Sequence, residues 1–233
     1  MAGQVTLSID GTEVRAPKGS TILEAAEASG IYIPRLCWAK GLTPAGKCRL
    51  CTVLVNGRPA AACTQPAMEG MLVRNDTPDL ARWRKNILEM LLVEGNHFCM
   101  VCEKSGACQL QALAYRFGIT APHYPFLFPK RDVDASHPDV LIDRNRCIQC
   151  SLCVRASREQ DGKSVFEFVN RGCEVRIAVN GERLADTELT AADKAAQICP
   201  VGALLVKRVG YAVPVGRRPY DQAPIGSEIE RRP

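Results

Sequence analysis

The chain has 233 residues, 46% of them hydrophobic, with a formal net charge of +5 and twelve cysteines. That length builds one large domain or two to three small ones, and its apolar stretches, such as residues 87–93, are far short of the roughly 20 residues of a membrane span. The opening MAGQVTLSID lacks a basic start followed by an apolar run, so no secretory leader is read and a cytosolic protein is expected, where many cysteines mean metal binding rather than disulfides.

In chain order, Val5, Leu7 and Ile9 alternate with polar residues, Asp10-Gly11 makes a turn, and residues 13–15 return. This predicts a β-hairpin. Thr21 to Glu24 open a helix with a capping-box pattern that stops at Ser29-Gly30. A second hairpin runs from Cys51 to Val55, turns at Asn56-Gly57 and returns from Arg58 to Cys63. Cys37, Cys48 and Cys51 lie on the loop between helix and hairpin, so with Cys63 the spacing is C-x10-C-x2-C-x11-C. Four cysteines can hold zinc, but a β-grasp setting favours a [2Fe–2S] core. Gly46 lets the backbone pass close to inorganic sulfide, where amide donors raise the potential. The spacing is not the plant ferredoxin one. It resembles the [2Fe–2S] domain at the start of the large peripheral subunit of respiratory complex I, and we bound this first domain at residues 1–76.

The next segment, 77–135, opens with Thr77-Pro78, an N-cap followed by proline at the first helical position, and Gly95 closes the helix. Leu80, Trp83, Ile87 and Leu91 supply its apolar stripe. Then come His97, Cys99, Cys102 and Cys108, followed by a second helical stretch over 109–117. Residues 103–111, EKSGACQLQ, resemble part of a [4Fe–4S] domain shared by complex I and iron-only hydrogenases, in which one histidine and three cysteines hold the cluster. The resemblance implies His97, Cys99, Cys102 and Cys108 as ligands, although only Phe98 separates His97 from Cys99 where the family usually has three residues. Neutral imidazole in place of a thiolate removes one negative charge and raises the potential, as in Rieske centres. His123 and His137 are read as surface residues.

From 136 to 206, Cys147, Cys150 and Cys153 with the distant Cys199-Pro200 form a bacterial ferredoxin signature. A two-cluster ferredoxin would need four more cysteines. The first motif's fourth position is Ser157, and the second motif's first three are Leu189, Ala192 and Ala195. One cluster's ligands are all absent and the other's all remain, so the fold keeps a single [4Fe–4S]. Residues 165–169 and 175–179 read as strands, Asn180-Gly181 as a turn, and Thr190 as the cap of a short helix ending near Ile198. Cys173 is unpaired, with a lesser reading as fourth ligand in place of Cys199. Residues 207–233 read as a disordered tail or as an arm laid across a partner, the repeated Tyr211, Val213, Val215, Tyr220 and Ile225 favouring the arm.

The chain has no GxGxxG for a nicotinamide or flavin site, no C-x-x-C-H for haem, and no visible nucleophile–base constellation. Eleven thiolates on three cores of about +2 each carry roughly −5. The basic excess therefore offsets the clusters, and Arg35, Lys47, Arg49, Lys104, Arg144, Arg146 and Arg155 all lie near proposed ligands in sequence. The expected fold is an α+β multidomain iron–sulfur protein. Its cofactors would be one [2Fe–2S] and two [4Fe–4S] clusters, with no catalytic residue of its own.

The order of the three sites, the short His97–Cys99 spacing and the tail GYAVPVGRRPYDQAPIGSEIE look like the small diaphorase subunit of cytosolic NAD-reducing nickel–iron hydrogenases. The resemblance implies an electron relay between a flavin/NAD-binding diaphorase subunit and the small and large hydrogenase subunits. By analogy with complex I the path runs from the Cys37 site through the Cys147 site to the His97 site. Two other readings remain at this stage. One is the same relay in an NAD-linked formate dehydrogenase or a complex I variant. The other is a zinc-stapled module attracted to nucleic acid, against which the interleaved Asp and Glu argue.

Overall fold

In the computed structural model, which describes residues 3–230, the alternating start forms strand β1 (Gln4–Ile9), paired antiparallel with β2 (Thr12–Pro17). Helix α1 (Ile22–Ala28) follows, with Thr21 and Glu24 making both capping-box hydrogen bonds. Strands β3 (Thr52–Val55) and β4 (Arg58–Ala61) make the second hairpin. A short strand that the sequence pattern did not mark, β5 (Leu72–Arg74), joins the hairpins. It lies parallel to β1 and antiparallel to β3, giving the order β2-β1-β5-β3-β4. Alternate residues Val5, Leu7 and Ile9 turn to one face and pack with Ile22, Leu23, Ala25 and Ala26 of α1. The result is the helix-on-sheet layout expected of a β-grasp.

Helix α2 (Pro78–Glu94) is capped as predicted, the Thr77 hydroxyl accepting from the Leu80 N–H at 3.2 Å. Its buried face differs from the predicted stripe. Leu80 and Leu88 are fully buried with Arg84 between them at 5% exposure, whereas Trp83 is exposed. A hydrocarbon-only reading of the period turns the helix too far towards Trp83. Helix α3 (Gln109–Arg116) follows the cysteine-rich loop.

The third region holds β6 (Val133–Asp134), β7 (Val140–Asp143), α4 (Leu152–Glu159), β8 (Phe166–Val169), β9 (Arg176–Val179), α5 (Lys194–Gln197) and β10 (Leu204–Val206). One sheet has the order β10-β7-β6, and β8 pairs with β9. The predicted Thr190 cap is corrected: α5 begins at Lys194, and the Thr190 N–H donates to the Asp193 carboxylate at 2.8 Å. That carboxylate also takes the Lys163 ammonium at 2.8 Å, which fixes the loop before the helix. His137 is corrected as well. It is buried, shares a 2.8 Å hydrogen bond with the Leu189 carbonyl through Nε2, and takes the Asp139 and Val140 N–H groups at Nδ1. His123 is exposed, as read, with its ring 3.0 Å from the buried Glu89 carboxylate.

The two ferredoxin halves have different fillings. Ser157, Leu189 and Ala195, three of the four positions where cysteines would be needed, are buried with Val165, Phe166 and Leu184, while the fourth, Ala192, is exposed. The Ser157 hydroxyl there accepts the Val165 N–H at 2.8 Å. Another core draws on all three regions: Tyr32, Leu36 and Leu50, then Leu88, Leu110 and Leu113, then Val201 and Ala203, closed by Ile225.

Residues 207–230 contain no helix or strand and lie on this chain itself. Tyr220 N–H donates to the Gly106 carbonyl at 3.0 Å, and Arg218 to that of Ser105 at 3.1 Å. Arg116 holds the Ile225 carbonyl at 2.7 Å and pairs with Glu230. Gly226 has φ +97° and sits on the Tyr32 ring, where a Cβ would stand 2.4 Å from a ring carbon. Tyr211, Val213 and Val215 stay exposed. Met1, Ala2 and the final Arg231-Arg232-Pro233 of the first and last expected segments lie outside the described residues. Among the described residues no helix is long and apolar enough to cross a membrane.

Candidate metal centres

The first site grows from the loop between α1 and β3 and from the residues after β4. Cys37, Cys51 and Cys63 are buried and Cys48 is half-buried. The Cys48 N–H donates to Cys37 Sγ at 3.3 Å, and Cys51 Sγ lies 3.3 Å from Cys63 Sγ. Gly46, at φ +62°, turns the loop where a Cβ would press on Thr64 at 3.3 Å. The sulfurs form two donor–acceptor pairs. A hydrogen bond from Cys48 brings the Cys37 thiol down to about 6, and one from Cys51 lowers Cys63. The donating partners, Cys48 and Cys51, move up. Cys37 and Cys63 are therefore the readier thiolates, whereas Cys48 and Cys51 would give up their protons only to a bound cation. Soft sulfur donors with backbone N–H support suit iron–sulfide.

The second site follows α2. His97 Nε2 is buried without a hydrogen-bond partner, a rare condition for a polar atom and one that a non-protein partner resolves. Burial, ahead of the opposing Leu91 carbonyl, brings the ring down to about 4. It is therefore neutral at pH 7, as a ligand must be. Cys99 lies on a short 3-10 turn, and Cys108 immediately precedes α3. Burial pushes Cys108 up to about 12 against the N–H groups of Gln111 and Leu110. A bound cation would reverse that preference.

The third site gathers four half-buried cysteines. Cys147, Cys150, Cys153 and Cys199 line one small cavity with Ile142, Ile148 and Val201. Gln149 N–H donates to Cys147 Sγ at 3.4 Å. Burial raises Cys147 to about 11 and also raises Cys150 and Cys153. Cys173 is exposed on a turn between β8 and β9 and does not line this cavity.

Among the described residues, no three His, Cys, Asp or Glu side chains form a group fit for a single metal ion.

The sites are linked by arginines from the third region. Arg155 on α4 donates to the carbonyls of Cys37 and Thr43. Arg146, one residue before Cys147, reaches Cys102 Sγ at 3.6 Å and the Gly202 carbonyl at 3.4 Å. Gln109 N–H donates to the Pro200 carbonyl and Asn96 N–H to that of Asn145, both at 2.8 Å. Gly202 lies so close to Cys102 that a Cβ would stand 2.6 Å from the sulfur. Of the other basic residues expected near the sites, Arg35 pairs with Glu27, Arg144 with Asp132, and Lys47 sits 3.7 Å over the Phe168 ring.

Two contributors escaped the sequence reading. Gly202 carries no local signal beyond its place after Cys199-Pro200. Arg84 does carry one, since it lies four residues from both Leu80 and Leu88 on the same helical face.

Comparison with known proteins finds three iron–sulfur family matches along the chain. Residues 2–78 match a 2Fe-2S iron-sulfur cluster binding domain, 84–123 the NADH-ubiquinone oxidoreductase-G iron-sulfur binding region, and 140–206 a 4Fe-4S single cluster domain. The chain is 41% identical over 218 residues to the gamma subunit of the NAD-reducing hydrogenase HoxS of Cupriavidus necator, covering 93% of both chains. It is 38% identical to the alpha subunit of an NADPH-Fe(3+) oxidoreductase of Geobacter sulfurreducens, over 87% of this chain but 24% of that protein. It is 36% identical to the mitochondrial NADH dehydrogenase [ubiquinone] iron-sulfur protein 1 of Solanum tuberosum, over 89% of this chain and 28% of that one. Thus it spans nearly all of the first relative and only about a quarter of the other two. Among solved structures, a chain of an NAD+-reducing [NiFe]-hydrogenase in the H2-reduced state superposes with a TM-score of 0.93, at 48% identity and 96% coverage of both chains.

Proposed function

The chain belongs to the family of iron–sulfur subunits that includes the gamma subunit of the NAD-reducing hydrogenase HoxS, and from that premise we propose that it is the electron-relay subunit of a cytosolic enzyme of this kind. It carries single electrons between a flavin/NAD(H) diaphorase subunit and the small and large subunits of a nickel–iron hydrogenase, in the reaction H2 + NAD+ = H+ + NADH.

The proposed ligand sets are Cys37, Cys48, Cys51 and Cys63 for a [2Fe–2S] cluster, and His97, Cys99, Cys102 and Cys108 for a [4Fe–4S] cluster. Cys147, Cys150, Cys153 and Cys199 would hold a second [4Fe–4S]. When bound, such clusters supply one-electron acceptance and release. The chain's own residues do the rest. The cysteines are buried or half-buried, backbone N–H groups face the sulfurs of Cys37 and Cys147, and His97, neutral at working pH, makes its site one negative charge lighter than its all-cysteine counterpart.

One observation supports the reading: side chains of the third region reach both the Cys37 loop and the Cys102 loop. Arg155 ties its helix to the carbonyl of Cys37, and Arg146 ties its first ligand's neighbour to Cys102. This supports a path from the flavin partner to the Cys37 site, then the Cys147 site, then the His97 site and the hydrogenase. Path order therefore differs from chain order.

The test is the anaerobically purified native complex. It should contain nickel, about ten irons attributable to this chain, and EPR signals of both cluster types when reduced. Cys48→Ser should abolish hydrogen-dependent NAD+ reduction while NADH-driven dye reduction persists. Unchanged coupled activity would refute the relay, and clusters without nickel would move it to another dehydrogenase.

A further inference from the structure

Arg84 is a buried cation that no carboxylate neutralises at close range. It stands in the middle of α2 at 5% exposure, and its guanidinium donates four hydrogen bonds, all to neutral acceptors. Nε donates to the Leu50 carbonyl at 3.1 Å, Nη1 to the Asn75 carbonyl at 2.9 Å, and Nη2 to the Thr52 carbonyl at 2.9 Å and Asn75 Oδ1 at 2.7 Å. Among the described residues it makes no ion pair within 4.0 Å, the nearest carboxylates acting on it being those of Asp10 and Asp76 from farther off. Burying a lone charge is costly unless something opposite in sign stands close by. Its guanidinium lies against the backbone on both sides of Cys51.

Leu50 and Thr52 flank Cys51, so the guanidinium grips the carbonyl on each side of that ligand. In a trans peptide the C=O and N–H point in opposite directions. Holding the Leu50 carbonyl therefore turns the Cys51 N–H away from Arg84. No other side chain of α2 reaches the first site in this way, and the arginine belongs to a different region of the chain from the ligands it grips.

We propose that Arg84 sets the reduction potential of the first centre: its fixed positive charge, clamped behind Cys51, favours the state with one more electron. This rests on the proposed [2Fe–2S] assignment. With four thiolates the centre carries a charge of about −2 when oxidised and −3 when reduced, so a buried cation stabilises the reduced form more. The extra electron arrives from a one-electron donor, the flavin-bearing partner, and no proton accompanies it. Arg84 is a positioning and charge-supplying residue, not a ligand.

The experiment is an EPR-monitored redox titration of the anaerobically purified native complex, the centre's signal being identified by its loss or change in Cys48→Ser. At the wild-type midpoint, Arg84→Gln should show a reduced-to-oxidised ratio at least tenfold lower, about 59 mV for a one-electron couple. The other two centres should not move. Arg84→Lys, which keeps the charge with fewer hydrogen bonds, should stay within about threefold of wild type. Asn75→Asp gives an independent arm, since it keeps Arg84 and its acceptor but adds the missing carboxylate, and it should shift the ratio the same way as Arg84→Gln. This variant decides the matter even where Arg84→Gln does not fold. Ratios within twofold of wild type in both neutralising variants would overturn the inference, as would an Arg84→Lys shift equal to that of Arg84→Gln. Absence of any [2Fe–2S] signal in the wild type would instead remove the functional reading on which it stands.

Discussion

Gly202→Ala is a one-carbon perturbation aimed at a single centre. The added Cβ would meet Cys102 Sγ at 2.6 Å, Lys104 Cβ at 3.4 Å and Arg146 Cδ at 3.5 Å. Ordinary contacts between such atoms are about 3.5–4.0 Å, so the sulfur must retreat by roughly 1 Å. A free thiol can rotate away, but a sulfur fixed to a metal core cannot, and the backbone of Gly202 is itself held by Arg146. Overpacking of this kind costs about 1–3 kcal/mol, equivalent to roughly 5- to 150-fold weaker retention of the bound group. Iron and sulfide analysis of the anaerobic complex should show this chain's content falling from about ten irons towards six. EPR should show the His97 centre depleted or altered and the other two intact. Wild-type iron with an unshifted second centre would refute the reasoning, and so would equal loss of all three centres, which would mean misfolding rather than a local clash.

His97→Cys should retain four irons at its site and lower that centre's potential, because a thiolate adds a negative charge, whereas His97→Ala should lose or labilise the cluster. An alanine variant with full iron and an unchanged EPR line shape would remove His97 from the ligand set. Arg155→Met, which loses the bonds to Cys37 and Thr43, should leave all three centres loaded but slow re-oxidation of the first one after rapid reduction. Freeze-quench EPR showing wild-type kinetics would dismiss Arg155 as a link. Asp193→Asn tests an electrostatic tie in the third region. Burial pushes the Asp193 carboxyl up, but the Lys163 ammonium and the Thr190 N–H outweigh it and hold it below the usual range. A depressed value means the stabilisation is present above the ordinary carboxylate pKa of about 3.9 and fades as pH falls through the native value. The variant should therefore lose about 1–2 kcal/mol, and the gap between urea midpoints should stay flat from pH 8 to pH 5.5. A gap already closing between pH 8 and pH 6 would contradict the assignment.

The elements with strong local punctuation were legible in the sequence. Asp10-Gly11, Thr21 with Glu24, Asn56-Gly57 and Thr77-Pro78 each determine their own turn or cap through contacts a few residues apart, and β1, β2, α1, β3, β4 and α2 appear where those signals put them. Strands β5, β7 and β10 carried no such signal. Each has only three or four residues and exists through a partner far along the chain: Leu72 beside Ser8, and Leu204 beside Ile142. The same distinction explains the sites. The proposed ligand sets could be drawn up because the spacing of their cysteines is local, apart from Cys199, whose following proline marked it. What reaches them across regions was less so: Arg84 and Gly202 were missed, and Arg155, expected near Cys153, meets the Cys37 carbonyl instead. His137 misled for a related reason: Leu189, whose carbonyl it meets, lies beyond β9.

The packing around Ser157 has a meaning for the traffic of charge. A two-cluster ferredoxin is a corridor, admitting an electron at one end and passing it out at the other. Here the far end is hydrocarbon, with Ser157, Leu189 and Ala195 closed over by Phe166 and Leu184. On the proposed ligand set, the third site keeps its contacts towards the loop gripped by Arg155 and the loop reached by Arg146. The corridor has become a corner, and the vacated half serves as its insulation.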